Sequence, residues 1–122
     1  MRDHRKLQAF VVADRLVKSV YDHTKSFPSD ERYGLTSQLR RATVSIAANI
    51  VEGSARRSHR EYLNFLNISL GSACEARYLW SLVLHFEYAT GDDVSKLFDE
   101  CVASLSKLTD AVASFSGPKP GA

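Results

Sequence analysis

Hydrophobic residues recur at steps of three and four through most of the chain, and this spacing predicts α-helices. No strand-like alternation persists, and Pro28 is the only proline in the first 117 residues. Breaks in the pattern divide the chain into four predicted helices and a flexible C-terminal tail, at about residues 5–25, 30–53, 59–88, 93–115 and 117–122. The short connections favour antiparallel neighbours. We therefore predict an all-α fold, an antiparallel up-and-down four-helix bundle spanning residues 1–116.

Local signals support the ends of these helices. Pro28 cannot continue a helix, so the first helix should end just before it. Ser58 and Glu61 have the spacing of a capping box, which predicts the start of the third helix. Gly71 lies inside that helix, where Gly costs roughly 1 kcal/mol relative to Ala. We expect Gly71 to allow the close approach of another helix.

The third predicted helix is apolar on two nearly opposite rows. One row contains Leu63, Leu66, Leu70, Ala73, Arg77, Trp80 and Leu84, and the other contains Phe65, Ile68, Ser72, Glu75, Leu79, Leu82 and Phe86. A helix that is apolar on opposite sides must be buried on both. One side should cover the core of the bundle, and the other is predicted to contact another copy of the chain in a homo-oligomer.

Composition places the chain among ordinary globular proteins of one domain. Hydrophobic residues make up 44% of the 122 residues and charged residues 25%. No run approaches the ~18 apolar residues that a membrane span requires, and no signal-peptide core follows the N-terminus. A cytoplasmic protein without membrane contact is therefore expected. Cys74 and Cys101 are predicted to be free thiols buried as small hydrophobic residues.

Positive charge is concentrated in the first half of the chain. Residues 1–60 contain 12 Lys and Arg against 6 Asp and Glu, a net of +6, whereas residues 61–122 contain 4 against 8, a net of −4. Between residues 32 and 60 every cation is Arg, which suits bidentate contact with phosphate or carboxylate. The candidate nucleic-acid-binding residues are Arg40, Arg41, Arg56, Arg57 and Arg60.

A polar seam runs along the second helix and faces polar residues of the third. Glu75 interrupts an apolar row, and a buried carboxylate must be paired. Arg40 or Arg41 is the natural donor, so we expect a buried ion pair that sets helix register. The predicted structural polar layer consists of Arg41, Asn49, Glu52, Ser72 and Glu75.

No pattern of catalytic or metal-binding residues emerges. The four histidines occur in neither His-Glu-x-x-His nor Glu-x-x-His, so a metal site is unsupported. Gly-x-Ser-x-Gly and glycine-rich phosphate loops are also missing from the sequence. We expect no enzymatic activity, no metal and no cofactor.

A series of short motifs occurs in order through the middle of the chain. They are Phe27-Pro28, Glu31-Arg32-Tyr33-Gly34-Leu35, Gln38-Leu39-Arg40-Arg41-Ala42, Ser45-Ile46, Asn49-Ile50, Glu52-Gly53, Arg57-Ser58, Glu61-Tyr62, Phe65-Leu66, Gly71-Ser72 and Glu75. This series resembles the four-helix-bundle family named for the protein encoded in 23S rRNA intervening sequences. The resemblance covers nearly the whole chain.

The resemblance implies an up-and-down bundle assembled as a ring, a homopentamer. It also implies interaction with RNA or DNA, as in a distantly similar basic pentamer, the accessory protein of diversity-generating retroelements. It brings no catalytic residues. The matched positions to which it assigns structural roles are Arg40, Arg41, Asn49, Glu52, Arg57, Ser72 and Glu75.

These observations predict a non-enzymatic, homo-oligomeric protein that binds RNA or DNA non-specifically through repeated Arg patches. An alternative stays open at this point. The Arg residues could instead form salt bridges between subunits of a protein-interaction scaffold with an unknown protein partner and no nucleic-acid role.

Overall fold

The computed structural model describes residues 2–115, which form four α-helices and two short 3-10 turns. The helices are α1 (Gln8–Thr24), α2 (Leu35–Ser54), α3 (His59–His85) and α4 (Asp93–Ser114), and the turns are His4–Lys6 and Ser29–Glu31. No strand occurs among the described residues. The all-helical, four-helix part of the fold prediction is confirmed, and the antiparallel order stays a prediction. The predicted tail at 117–122 lies outside the described residues.

The four helices enclose one apolar core. Helix α2 packs on α1 and α3, and α4 packs on the same two helices. All four contribute fully buried side chains, which include Val12, Leu16, Val20, Leu39, Ile46, Ile50, Leu66, Val83, Phe98 and Leu105. Burial of one such side chain stabilises the fold by about 1.5–3 kcal/mol. None of the described helices combines the length and apolarity needed to cross a membrane.

The two rows of α3 are buried to different degrees. Leu66, Ala73 and Trp80 of the first row lie in the core, as predicted. In the second row Leu79 is also buried, whereas Ile68 is 45% exposed in the isolated chain. Phe86 at the end of this row is 51% exposed, so the second row stays largely at the surface and only its Leu79 is buried.

The connection between α1 and α2 is anchored on the core. The Phe27 ring lies 6.5 Å from the Trp80 ring and 5.7 Å from the Tyr88 ring. The Tyr88 hydroxyl donates to Glu31 Oε2 at 2.9 Å, and this bond raises the pKa of Tyr88. Glu31 Oε1 accepts from the Leu35 backbone N–H at 3.3 Å, so Glu31 satisfies a free donor at the start of α2. Helix α2 therefore begins at Leu35, after the turn, and not near residue 30.

Helix α3 begins where its capping signal predicts. Ser58 Oγ accepts a hydrogen bond from the Glu61 backbone N–H at 3.2 Å. The helix ends at His85, three residues before the predicted end. Glu87 follows with a positive φ of 60°, which turns the chain out of the helical path.

Close approach of α2 and α3 depends on Gly53 and not on Gly71. A Cβ at Gly53 would lie 2.8 Å from the Cβ of Phe65, whereas a Cβ at Gly71 would meet none of the described residues within 4 Å. The expectation for Gly71 is therefore wrong within this chain, because Gly71 points away from the bundle. The Ser69 hydroxyl also donates to the Ile46 carbonyl at 2.7 Å, which brings the two helices together at a buried position.

Phe98→Ala is expected to lower the free energy of unfolding by about 3–5 kcal/mol, because its ring is fully buried among the four helices. The matched control is Phe86→Ala, since Phe86 is 51% exposed, and its cost should stay near 1 kcal/mol or below. Urea unfolding followed by circular dichroism measures both. Equal costs for the two variants would contradict this core assignment.

Candidate nucleic-acid interface

The five predicted Arg residues fall into two groups at opposite ends of α2. Arg40 and Arg41 lie in its first half, and Arg56 and Arg57 follow its end. Arg60 lies in the first turn of α3. The 1.5 Å rise per residue separates Arg40 from Arg56 by roughly 24 Å along the helix axis. The structure therefore divides the predicted cluster into two separate basic regions.

Arg40 joins α2 to α1. Its Nε donates to Thr24 Oγ1 at 2.8 Å, and its guanidinium carbon lies 4.6 Å from the centre of the Tyr21 ring. A cation over an aromatic face is attracted by the electrons of the ring. One edge and one face of the Arg40 guanidinium are thus engaged within the chain.

Arg41 and Glu75 form the predicted ion pair, but the pair is not buried. Arg41 Nη2 lies 2.9 Å from Glu75 Oε2, and the two side chains are 64% and 42% exposed. The expectation of a buried pair is wrong because the core side of this seam is filled by apolar residues such as Ile46 and Ala73. An exposed pair stabilises a fold by about 0–1 kcal/mol.

Two of the remaining polar-layer residues, Asn49 and Ser72, are placed by short hydrogen bonds. Ser45 and Ser72 share a hydrogen bond of 2.9 Å between α2 and α3. The Asn49 amide donates to the Ser45 carbonyl at 2.8 Å and to its hydroxyl at 3.0 Å. Glu52 does not join this layer, since it pairs with Arg56 at 2.7 Å. Sequence analysis left Ser45 out of the layer, although it occupies the central position.

The second basic region lies at the corner between α2 and α3, and it includes Arg2. The Arg2 guanidinium donates to the Arg56 carbonyl at 2.7 Å and lies 4.1 Å from the Tyr62 ring centre. Arg56 lies over the Phe65 ring at 4.9 Å. Arg2 was missed because it precedes the first helix, where no periodicity indicates its position.

Arg57 and Arg60 complete this corner and differ from the other candidates. Both are exposed. Within residues 2–115 neither has a carboxylate within 4.0 Å, whereas Arg41 and Arg56 each do. Among the described residues, Arg57 and Arg60 are therefore the two predicted residues whose whole guanidinium groups stay available for an external anion, whereas Arg40 keeps only its terminal nitrogens free.

An uncharged band crosses the outer faces of α2 and α3. Residues 42–51 and 62–74 contain no Asp, Glu, Lys or Arg. Val44, Val51 and Ile68 within these segments are 39%, 38% and 45% exposed. The exposed faces of α1 and α4 carry charges instead, for example Arg15 and Lys107. An exposed apolar surface flanked by polar residues is typical of a contact surface.

The described residues bring together no evident catalytic constellation. No group of three or more His, Cys, Asp or Glu side chains could hold a metal ion within residues 2–115. Cys101 is buried as predicted, and burial, followed by the Glu100 charge, raises the pKa of its thiol to about 12. Cys74 is exposed, contrary to expectation, because it lies on the outer face of α3.

Comparison with known families agrees with the resemblance noted in the motifs. The family model described as 23S rRNA-intervening sequence protein matches residues 5–110. The chain belongs to this family.

A solved structure has a similar fold. It is a protein of unknown function from the S23 ribosomal protein family of Bacteroides thetaiotaomicron VPI-5482, with a TM-score of 0.76 and 23% sequence identity. The similarity covers 84% of this chain and 95% of the other. No curated protein matches the chain in sequence. At this level of identity the likeness establishes the fold of this family member and nothing further.

The Cys101 thiol is expected to be nearly inert in the folded protein. With a pKa of about 12, roughly one thiol in ten thousand is ionised at pH 8, and only the thiolate reacts. The Cys74→Ser variant isolates Cys101, and its reaction with a chromogenic disulfide reagent should be negligible when folded and complete in guanidinium chloride. Rapid reaction of the folded variant would contradict this placement.

Proposed function

We propose that the chain is a non-enzymatic, homo-oligomeric bundle protein, a pentameric ring, which binds RNA or DNA non-specifically through repeated Arg patches. The observation that carries the proposal is the exposed pair Arg57 and Arg60, which has no carboxylate within 4.0 Å among residues 2–115. Arg2 and Arg56 lie beside this pair and add to its positive charge.

The uncharged band of α2 and α3 supports the self-association part of this proposal. Its exposed Val and Ile side chains lose contact with water when a second copy covers them, which favours association. Gly71 lies within the band, and among residues 2–115 nothing outside its own turn of helix lies within 4 Å of the position that a Cβ would occupy. Contact with a neighbouring subunit provides a reason for Gly at this position, because a helix without a Cβ can approach more closely.

Ile68→Asp is expected to weaken self-association, because it buries a charge at each contact between copies. Sedimentation velocity at micromolar concentration should show a shift toward the monomer. The control is Val11→Asp, since Val11 is similarly exposed, at 42%, but lies on α1. Circular dichroism checks that both variants stay helical. A folded wild-type monomer at this concentration, or an unchanged Ile68→Asp oligomer, would disprove the assignment of this surface.

Nucleic-acid binding by the α2–α3 corner rests on charge and repetition. Each Lys or Arg that neutralises a phosphate releases counterions, so affinity falls steeply as salt rises. One corner with two free guanidinium groups should bind weakly. A ring repeats the corner in every subunit, and simultaneous contacts along one strand raise the overall affinity.

The double variant Arg57→Glu/Arg60→Glu is expected to lower affinity for RNA and DNA by at least about tenfold at low salt, and to reduce the slope of log affinity against log salt. Fluorescence anisotropy with labelled oligonucleotides measures both quantities. The control variant Arg15→Glu/Lys107→Glu makes the same change in net charge on α1 and α4, and it should bind nearly as the wild type does.

Two outcomes would count against this part of the proposal. Wild-type protein that binds no oligonucleotide at low salt would end it. Equal losses in the two double variants would show that net charge alone governs binding and that the corner has no special role.

The scaffold alternative is favoured by one observation. Arg40, Arg41 and Arg56 are already engaged by groups of their own chain. This leaves fewer free cations than the sequence suggests. Under the alternative the uncharged band would recruit a protein partner. Native mass spectrometry with and without nuclease distinguishes the two proposals. Only the nucleic-acid-binding proposal predicts bound mass that nuclease removes.

A further inference from the structure

A groove lies between the end of α1, the connection that follows it and the first two turns of α2. Its volume is about 750 Å³. Ligand sites in proteins commonly measure about 300–1,000 Å³. Its aromatic and basic lining residues are Tyr21, Tyr33, Lys25, Arg32, Arg40 and Arg41, and no acidic residue lines it.

The cations of the groove differ in how far they are already paired. Lys25 lies 3.6 Å from Asp22, and Arg41 pairs with Glu75. Arg32 has no carboxylate within 4.0 Å among the described residues. Arg40 donates from its Nε to Thr24 and makes no other side-chain hydrogen bond to the described residues, so its terminal nitrogens stay available. Arg32 and Arg40 are therefore the groups that can hold an anion in the groove.

Tyr33 presents an open aromatic face beside these cations. Its side chain is 87% exposed, the largest exposure among the large hydrophobic residues that the structure leaves exposed. The aromatic rings at the α2–α3 corner differ in this respect, since Arg2 covers Tyr62 and Arg56 covers Phe65. Of these rings, Tyr33 is the one on which a planar ligand can stack.

The connection that forms one wall of the groove is packed on the core, and the groove contains an unsatisfied donor. Phe27 is 9% exposed and fixes the connection on the core, so binding would order little additional chain. Thr36 lines the groove and is 8% exposed, and its hydroxyl has no hydrogen-bond partner among the described residues. Rotation of this side chain would present the hydroxyl to a ligand oxygen.

We propose that this groove binds one nucleotide unit of a single-stranded nucleic acid. The base stacks on Tyr33, and Arg32 and Arg40 hold the adjacent phosphate. Bases of a duplex are stacked on one another and leave no face for Tyr33, so the groove selects single strands. This inference rests on the proposed nucleic-acid function and narrows it to a strand type and a site.

The test compares a labelled RNA of about 12 nucleotides with a duplex of equal length by fluorescence anisotropy at low salt. Tyr33→Ala should weaken binding of the single strand by about 5- to 100-fold and leave duplex binding unchanged. Tyr33→Phe should bind like the wild type, because stacking requires the ring alone. The matched control is Tyr78→Ala, since Tyr78 is 62% exposed on α3, away from the groove.

Two further measurements test whether Arg32 contacts a phosphate and whether the ligand is a strand or a free nucleotide. Arg32→Gln should lower the salt slope for the single strand by roughly 0.7 for each occupied groove. Free uridine monophosphate should compete with the strand only at millimolar concentration. Competition at micromolar concentration would identify a free nucleotide as the ligand and overturn the assignment to a strand.

The outcomes separate this inference from the proposed function. A wild-type protein that binds both nucleic acids while Tyr33→Ala behaves like Tyr78→Ala would overturn the groove and leave the Arg corner intact. A wild-type protein that binds neither would overturn both. A changed sedimentation coefficient for Tyr33→Ala would assign Tyr33 to contact between copies and also overturn the inference.

Discussion

The close packing of α2 against α3 is the contact on which the other features depend. Gly53 leaves room for Phe65, and the Ser69 hydroxyl reaches the Ile46 backbone across a buried interface. This approach sets the rotation of both helices about their axes. Their apolar sides then face the core, while their uncharged outer sides form one continuous surface. It also brings the end of α2 to the start of α3, where the Arg corner forms.

Aromatic rings of the same chain hold some of the Arg residues in place, and the other Arg residues stay free to bind an external anion. Arg40 is held over Tyr21, and Arg56 is held over Phe65 and beside Glu52. Their positions are fixed by the fold, but their positive charge still contributes to the local potential, and the terminal nitrogens of Arg40 stay free for an anion. Among the described residues Arg57 has no such neighbour, and it is exposed in the connection between α2 and α3. A count of cations along the chain therefore overstates how many can bind an external phosphate.

Much of the architecture was predictable because helix formation and burial follow local spacing. The four helices, the buried row of α3 and the Ser58 cap were all predicted, since each depends on residues within a few turns of one another. The pairing of Glu75 with Arg40 or Arg41 was also predicted, because the seams of two neighbouring helices limit the available partners, and the structure selects Arg41. The predicted nucleic-acid-binding residues do not form one site, because they lie in two groups near opposite ends of α2.

The sequence by itself determined the helical class, the apolar faces and the family. Only the tertiary structure decided that Gly53 and not Gly71 lies at the helix contact, and that the Arg41–Glu75 pair is exposed. Periodicity defines a face to within the width of a stripe, but it does not fix the rotation and depth at which two helices meet. If a helix is rotated about its axis by the angle of one residue, a side chain moves between the core and the surface. The open face of Tyr33 depends in the same way on contacts distant in sequence.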